Sequence, residues 1–195
     1  MYKTYVRPTI EYASECWSPG LVKDIKLLES VQKAFTRRIP SIASSARQNI
    51  PNFDKLPKRE RLQRLYIERL SYSQRLKKLN LERLDLRRLH CDLVFAYKLM
   101  YGHLDVDPNL ILSFHPQAYD NYEGLRIADT FLRLQKPSFK VQCRQNYFGV
   151  RIVLPWNELP LEVKQAKSVK HFKSYLNGST ADRRIDLSTF LTNIS

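Results

Sequence analysis

Along much of the chain, apolar positions recur at three- and four-residue steps, the spacing of one face of a helix. Tyr2, Tyr5, Val6, Ile10, Ala13, Cys16 and Trp17 follow it at the N-terminus. Pro8 inside that stretch marks a kink or a fresh start, and Ser18-Pro19-Gly20 ends it. Ile25, Leu28, Val31, Phe35 and Ile39 give a second helix, over 21–38, its apolar stripe. Asp24 in its first turn and Arg37-Arg38 in its last suit the helix dipole. Pro40 stops it, and 41–53, rich in Ser and Asn, reads as a loop.

The next stretch contains a repeat at an offset of 14. Residues 56–70 align with 70–84, with seven of 15 positions identical. Fourteen residues is nearly four helical turns, so both copies would present the same face. Local duplication and chance in an Arg/Leu-rich stretch both account for it. Two copies are too few for a solenoid. Ser71-Tyr72-Ser73-Gln74 has the spacing of a capping box, so a short helix begins there, and Asn80 is expected to cap the next. Leu86, Leu89, Leu93, Ala96, Tyr97 and Met100 form the stripe of that next helix, with Gly102 as its stop. Residues 103–124 are irregular. From Thr130 to Cys143 the period changes to two, with Phe139, Val141 and Cys143 alternating with Lys140, Gln142 and Arg144, and a turn at Lys136-Pro137-Ser138. That predicts a small β-hairpin. Helices follow over 147–158 and 168–176, the second with Val169, Phe172 and Leu176 on one face. The expected organisation is a helical region over 1–102, a module over 103–177 with the hairpin and two short helices, and a frayed tail over 178–195.

Charge adds a partner to this picture. Among 195 residues, 33 Lys and Arg face 19 Asp and Glu, a net +14. A field of that size attracts polyanions, nucleic acid first and an anionic membrane surface second. The excess is uneven: residues 55–88 hold 12 basic and 4 acidic side chains, whereas 101–150 hold 5 and 5. The neutral block is therefore not expected to drive the contact. Arg59, Arg61, Arg64, Arg69, Arg75, Lys77, Lys78, Arg83, Arg87 and Arg88 punctuate the Leu-rich helical pattern. Residues at i, i+3 and i+4 share a face, so Arg61 lines up with Arg64 and Arg83 with Arg87. On this reading the leucines pack inward and a guanidinium row faces out. Its planar fork suits arginine to phosphate. Glu60, Glu68, Glu82 and Asp85 offer partial pairing as the competing use of these charges. Tyr66, Tyr72, Tyr97 and Tyr101 read as packing residues before stacking ones, and Trp17 and Trp156 as core anchors.

Little else carries chemistry. Cys16, Cys91 and Cys143 form no CxxC pair, and His90, His103, His115 and His171 are scattered. Neither a disulfide framework nor a zinc site is indicated, and no cofactor or small-molecule substrate is expected. Asp105 and Asp107 read as a solvated acidic loop. No apolar run approaches the ~20 residues of a membrane helix, and the first eight residues lack the apolar stretch of a signal peptide. Free thiols then place the chain in the cytoplasm or nucleus.

Several pieces read in order resemble one family. They are Tyr2-Lys3-Thr4-Tyr5-Val6-Arg7-Pro8 with Glu11-Tyr12-Ala13 and Trp17-Ser18-Pro19, then Lys23-Asp24-Ile25 to Phe35-Thr36. Arg75-Leu76-Lys77-Lys78-Leu79-Asn80-Leu81, Arg87-Arg88-Leu89 and Asp92-Leu93, and Tyr97-Lys98 with Gly102 come next. Asn146-Tyr147-Phe148 with Arg151, Trp156-Asn157 with Leu159-Pro160, and Val169 with Phe172-Lys173 and Leu176 complete the series. This series resembles the region downstream of the catalytic core in LINE-type (non-LTR, jockey-like) retrotransposon reverse transcriptases, over roughly residues 1–177. Residues 49–68 read as extra sequence, for which the tandem copy accounts, and the tail after Asn177 has no counterpart.

The resemblance implies a mainly α fold: a helical thumb-like bundle with a small β-hairpin and short C-terminal helices. It implies sequence-independent contact with the phosphates of a primer–template, an RNA–DNA or DNA duplex, and a possible palm and fingers partner. Nucleotidyl transfer in that family needs paired aspartates holding two metal ions. Their aromatic-Ala-Asp-Asp segment lies upstream of the resemblance, and this sequence contains no Asp-Asp pair. The expectation is a truncated C-terminal fragment of an RNA-directed DNA polymerase that binds nucleic acid and is not by itself an enzyme. The alternatives are a helical protein–protein interaction module, which would expose apolar surface, and a relic without present function.

Overall fold

The computed structural model describes residues 2–38, 51–61, 70–115 and 132–177. The first copy of the repeat lies mostly outside them, as do the 41–50 part of the expected loop and the expected frayed tail. The chain falls into two units, one of Met1–Ile10 with Lys23–Leu84, the other of Glu11–Val22 with Asp85–Ser195. They do not follow the division expected at residue 102. The long helix ending there shares one core with the segments after it.

In the first unit, a π-helical turn over Tyr2–Val6 runs into α1, Arg7–Glu11, whose last residue belongs to the other unit. Helix α2 spans Val22–Arg37 with Asp24 and Arg37 at its two ends as expected. Its expected stripe is only half realised. Val31 is exposed, and the buried positions are Glu29, Gln32 and Thr36. Helix α3, Tyr72–Leu79, starts at Ser71, where a complete capping box forms: the Ser71 side chain accepts from the Gln74 N–H, and the Gln74 side chain accepts from the Ser71 N–H. Asn80 closes α3 instead of opening the next helix. It adopts φ 48°, its N–H donates to the Lys77 carbonyl and the Leu81 N–H donates to the Leu76 carbonyl. That paired reach-back satisfies the last carbonyls of the helix.

In the second unit, α4 runs over Leu84–Met100, its first residue belonging to the other unit. Leu89, Leu93, Ala96 and Tyr97 are buried as the stripe predicts, joined by Val94 and Leu99. Gly102 stops the helix at φ +65°, with its N–H on the Leu99 carbonyl and that of His103 on Lys98. The helix expected over 147–158 is two helices, α5, Phe148–Arg151, and α6, Val153–Asn157. Pro155 has no N–H to return to the Arg151 carbonyl, so the hydrogen-bond ladder breaks there. Helix α7, Leu161–Lys164, was not expected, while α8, Val169–Leu176, starts on the Ser168 side chain. Trp156 and Phe172 are fully buried, and Tyr97 stacks on Phe172 at 4.5 Å. A Cβ at position 149 would lie 2.0 Å from the Ile111 carbonyl oxygen, so only glycine allows this approach.

The expected β-hairpin is absent: the described residues contain no strand. Leu134 makes an isolated antiparallel bridge with Phe114, and Gln142–Asn146 winds into a 3-10 turn. Among the described residues, the alternation over 139–143 has no strand beside it to pair with. The described residues are thus helical throughout, apart from turns and extended connections. No helix among them is long and apolar enough to cross a membrane.

Candidate nucleic-acid interface

A polar network holds the first unit together. Tyr2 stacks on Phe35 at 4.3 Å, and its hydroxyl donates to Gln32 Oε1 at 2.8 Å. Gln32 Nε2 donates to the Tyr72 hydroxyl oxygen (3.0 Å) and to the Glu82 carbonyl (2.9 Å). Tyr72 donates to Glu29 Oε1, and Glu29 Oε2 accepts the Leu84 N–H at 3.0 Å. A carboxylate of α2 therefore satisfies an N–H at the start of α4 that no helical carbonyl can reach. Burial and the neighbouring Glu29 push the Tyr72 hydroxyl well above the usual tyrosine range. The network fixes the start of α3 and the turn that follows its end.

That turn carries positive charge. Lys77 and Lys78 lie in the last turn of α3, and Arg83 just beyond it; all three are exposed. Lys3 Nζ donates to the Asn80 carbonyl at 3.3 Å, which brings a fourth cation to the same turn. Glu82 is its exposed carboxylate. Asp85 is half-buried, and its side chain accepts the Leu86 N–H at 2.8 Å. Arg59 is exposed in the same unit, and Arg61 is half-buried with Nε on the Leu56 carbonyl at 2.6 Å.

An outward row of all ten expected residues does not form. Arg75 is 6% exposed; its Nε donates to Thr36 Oγ1 at 3.2 Å and its Nη1 to the Leu70 carbonyl at 2.6 Å. Arg87 and Arg88 belong to the second unit. Arg87 forms a bidentate pair with Glu11, Nε–Oε1 2.5 Å and Nη2–Oε2 3.1 Å. Arg88, 6% exposed, stands 4.0 Å over the Trp17 ring and donates to the Trp17 carbonyl at 3.2 Å. Burial pulls its pKa down, against the charges of Asp92 and Glu11. A guanidinium held this way has its fork committed, and a phosphate would have to displace the partner. Arg64 and Arg69 lie outside the described residues. Trp17, expected as a core anchor, is 42% exposed, because Arg88 covers one side of it in place of a core.

Of the tyrosines expected to pack, Tyr97 is buried, Tyr72 half-buried and Tyr101 exposed; Tyr97 and Tyr101 stack at 4.5 Å and donate to the carbonyls of Ala166 and Lys164. No cluster of three His, Cys, Asp or Glu able to hold a metal ion occurs among the described residues. Sequence reasoning passed over one exposed basic stretch, Arg133 to Arg144. Its signal was the lack of any acid between Asp129 and Glu158. Compared with protein-family models, with curated proteins and with solved structures, the chain matches none of them.

Proposed function

We propose that the first unit binds nucleic acid duplex through its phosphates, as the thumb side of a LINE-type reverse transcriptase would, without catalysing nucleotidyl transfer. The observation that carries the reading is the turn around Asn80, where Lys77, Lys78 and Arg83 are exposed and Lys3 joins them. Arg59 adds a further exposed cation. Contacts of this kind fix a duplex in place and read no sequence. The absence of any Asp-Asp pair from the sequence leaves two-metal chemistry to another chain or segment.

The test is binding of a labelled DNA duplex and an RNA–DNA hybrid across a salt series. Four phosphate contacts by Arg59, Lys77, Lys78 and Arg83 give log K against log[salt] a slope of about −3.6 on duplex DNA. A flat salt dependence overturns the proposal.

A second reading, a docking module for another protein, rests on α2. Leu27 and Val31, four residues apart on one face, are 68% and 41% exposed. Concentration-dependent association of the chain that L27E/V31E abolishes would favour it; a monomer at all concentrations would count against it.

A further inference from the structure

Summing charge over blocks hides one stretch. The five acids of residues 101–150 are Asp105, Asp107, Asp120, Glu123 and Asp129, and none lies in the stretch from there to Glu158. Arg133, Lys136, Lys140 and Arg144 fall in that gap, and all four side chains are exposed. Among the described residues no carboxylate pairs with any of them. The contrast with Arg75, Arg87 and Arg88 is direct: those guanidinium groups are committed inside the protein, and these cations are not.

The segment is held at both ends. Leu132 and Leu134 are buried, and the alternation turns Arg133 and Gln135 outward. Trp156 Nε1 donates to the Leu132 carbonyl at 2.7 Å. The Asn157 side chain accepts the Leu134 N–H (2.9 Å) and donates to the Leu134 carbonyl (2.8 Å). The Gln135 N–H donates to the Ser113 carbonyl at 2.7 Å. At the far end, Asn146 closes the 3-10 turn, and its carbonyl accepts Arg151 Nη1 at 2.8 Å. Between these anchors, 136–141 contains neither helix nor strand. Lys136 Nζ lies 5.6 Å from the centroid of the Phe139 ring, and Tyr147, next after the turn, is 45% exposed.

We propose that this arm, residues 133–144 with Tyr147, is a second polyanion contact and takes single-stranded nucleic acid. Arg133 and Arg144 supply bidentate forks for phosphates, and Lys136 and Lys140 supply point charges between them. The faces of Phe139 and Tyr147 suit unpaired bases, whose stacking is tolerant of sequence. A duplex keeps its bases stacked on one another and would use the charges alone. Anchoring at both ends lowers the ordering cost of binding. The contact is independent of the one proposed for the first unit, since it uses other residues and another form of nucleic acid.

The test is fluorescence anisotropy of a labelled oligothymidine titrated with the full chain across a salt series. The variant R133Q/K136Q/K140Q/R144Q should flatten the slope of log K against log[salt] by about 2.8, four contacts at about 0.7 each on a single strand. Its circular dichroism should match the unsubstituted chain, because all four side chains are exposed. K77Q/K78Q/R83Q should leave the oligothymidine slope unchanged while weakening duplex binding. Tyr147→Ala should weaken oligothymidine binding about tenfold, the loss of one stacked base. The proposal is overturned by a chain that does not bind oligothymidine, by a fourfold variant with an unaltered slope, or by Tyr147→Ala binding as before. It is equally overturned if phosphatidylserine vesicles capture the chain through these four residues and oligothymidine does not.

Discussion

Arg151 shows what one side chain holds together. Its Nε and Nη2 bind the two Asp92 oxygens at 2.9 Å each, and Nη2 also reaches the carbonyls of Ser14 (2.8 Å) and Glu15 (3.0 Å). Both partners are mostly buried. Arg151→Met would leave the Asp92 carboxylate buried without its cation, at a cost of about 3–5 kcal/mol. The loss should depend on pH. Burial already holds the Asp92 carboxyl above the usual carboxylate range, while the hydrogen bonds and charge of Arg151 pull it down. Without Arg151 it rises further. A group raised in the folded state adds stability fully below its unfolded pKa, and that stability is lost as pH rises through the folded value. The variant's deficit should therefore shrink as pH falls toward the carboxylate range, measured by denaturant unfolding of variant and parent in parallel; a deficit that grows on acidification would contradict this. The thiols offer a second residue-scale prediction. Burial pushes Cys91 up, and Glu11 and Glu15 add to it, whereas Cys16 and Cys143 are exposed. The thiolate is the reactive form, so mildly alkaline alkylation followed by mass spectrometry should modify Cys16 and Cys143 fast and Cys91 slowly.

At the scale of elements, the helix ends are the parts that follow local rules. Ser71→Ala removes the side-chain half of the capping box and should cost about 1 kcal/mol. Gly102→Ala meets no atom within 4 Å of the added Cβ, so its cost is the backbone's alone at φ +65°, about 1–2 kcal/mol. Asn80→Gly should be close to neutral at φ 48°, since glycine populates that region freely. Thermal melts of the three single variants check this order. The Ser71 cap, the Gly102 stop and the stripe of α4 were legible in the sequence because each involves residues within one or two turns. What was not legible depends on partners far along the chain. Glu29, Gln32 and Thr36 face inward on α2 because Tyr2, Tyr72, Arg75 and Leu84 meet them there. No periodicity within α2 announces that. The alternation over 139–143 is real, but a strand needs a neighbour, and among the described residues the bridge that forms joins Phe114 to Leu134 instead. Asparagine at position 80 suits either end of a helix by residue type, and only its φ of 48° decides that it closes α3.

For the whole molecule, a net charge of +14 overstates what meets a polyanion, because association responds to the cations that face solvent. Arg75 serves the packing of the first unit, and Arg87 and Arg88 that of the second. The stretch with the greatest charge excess in sequence is therefore partly spent on folding, whereas the 133–144 arm in the neutral block keeps its cations outward. Two variants of similar charge loss should then behave oppositely. K77Q/K78Q/R83Q removes exposed charge and should reduce the duplex salt slope by about 2.7, three contacts at about 0.9 each. R87Q/R88Q breaks the Glu11 pair and the Trp17 contact, so it should lower the denaturant midpoint and leave the slope where it was. If the two variants instead flatten the slope in proportion to the charge removed, the polyanion is responding to total charge, and the distinction between committed and presented arginines has no bearing on binding.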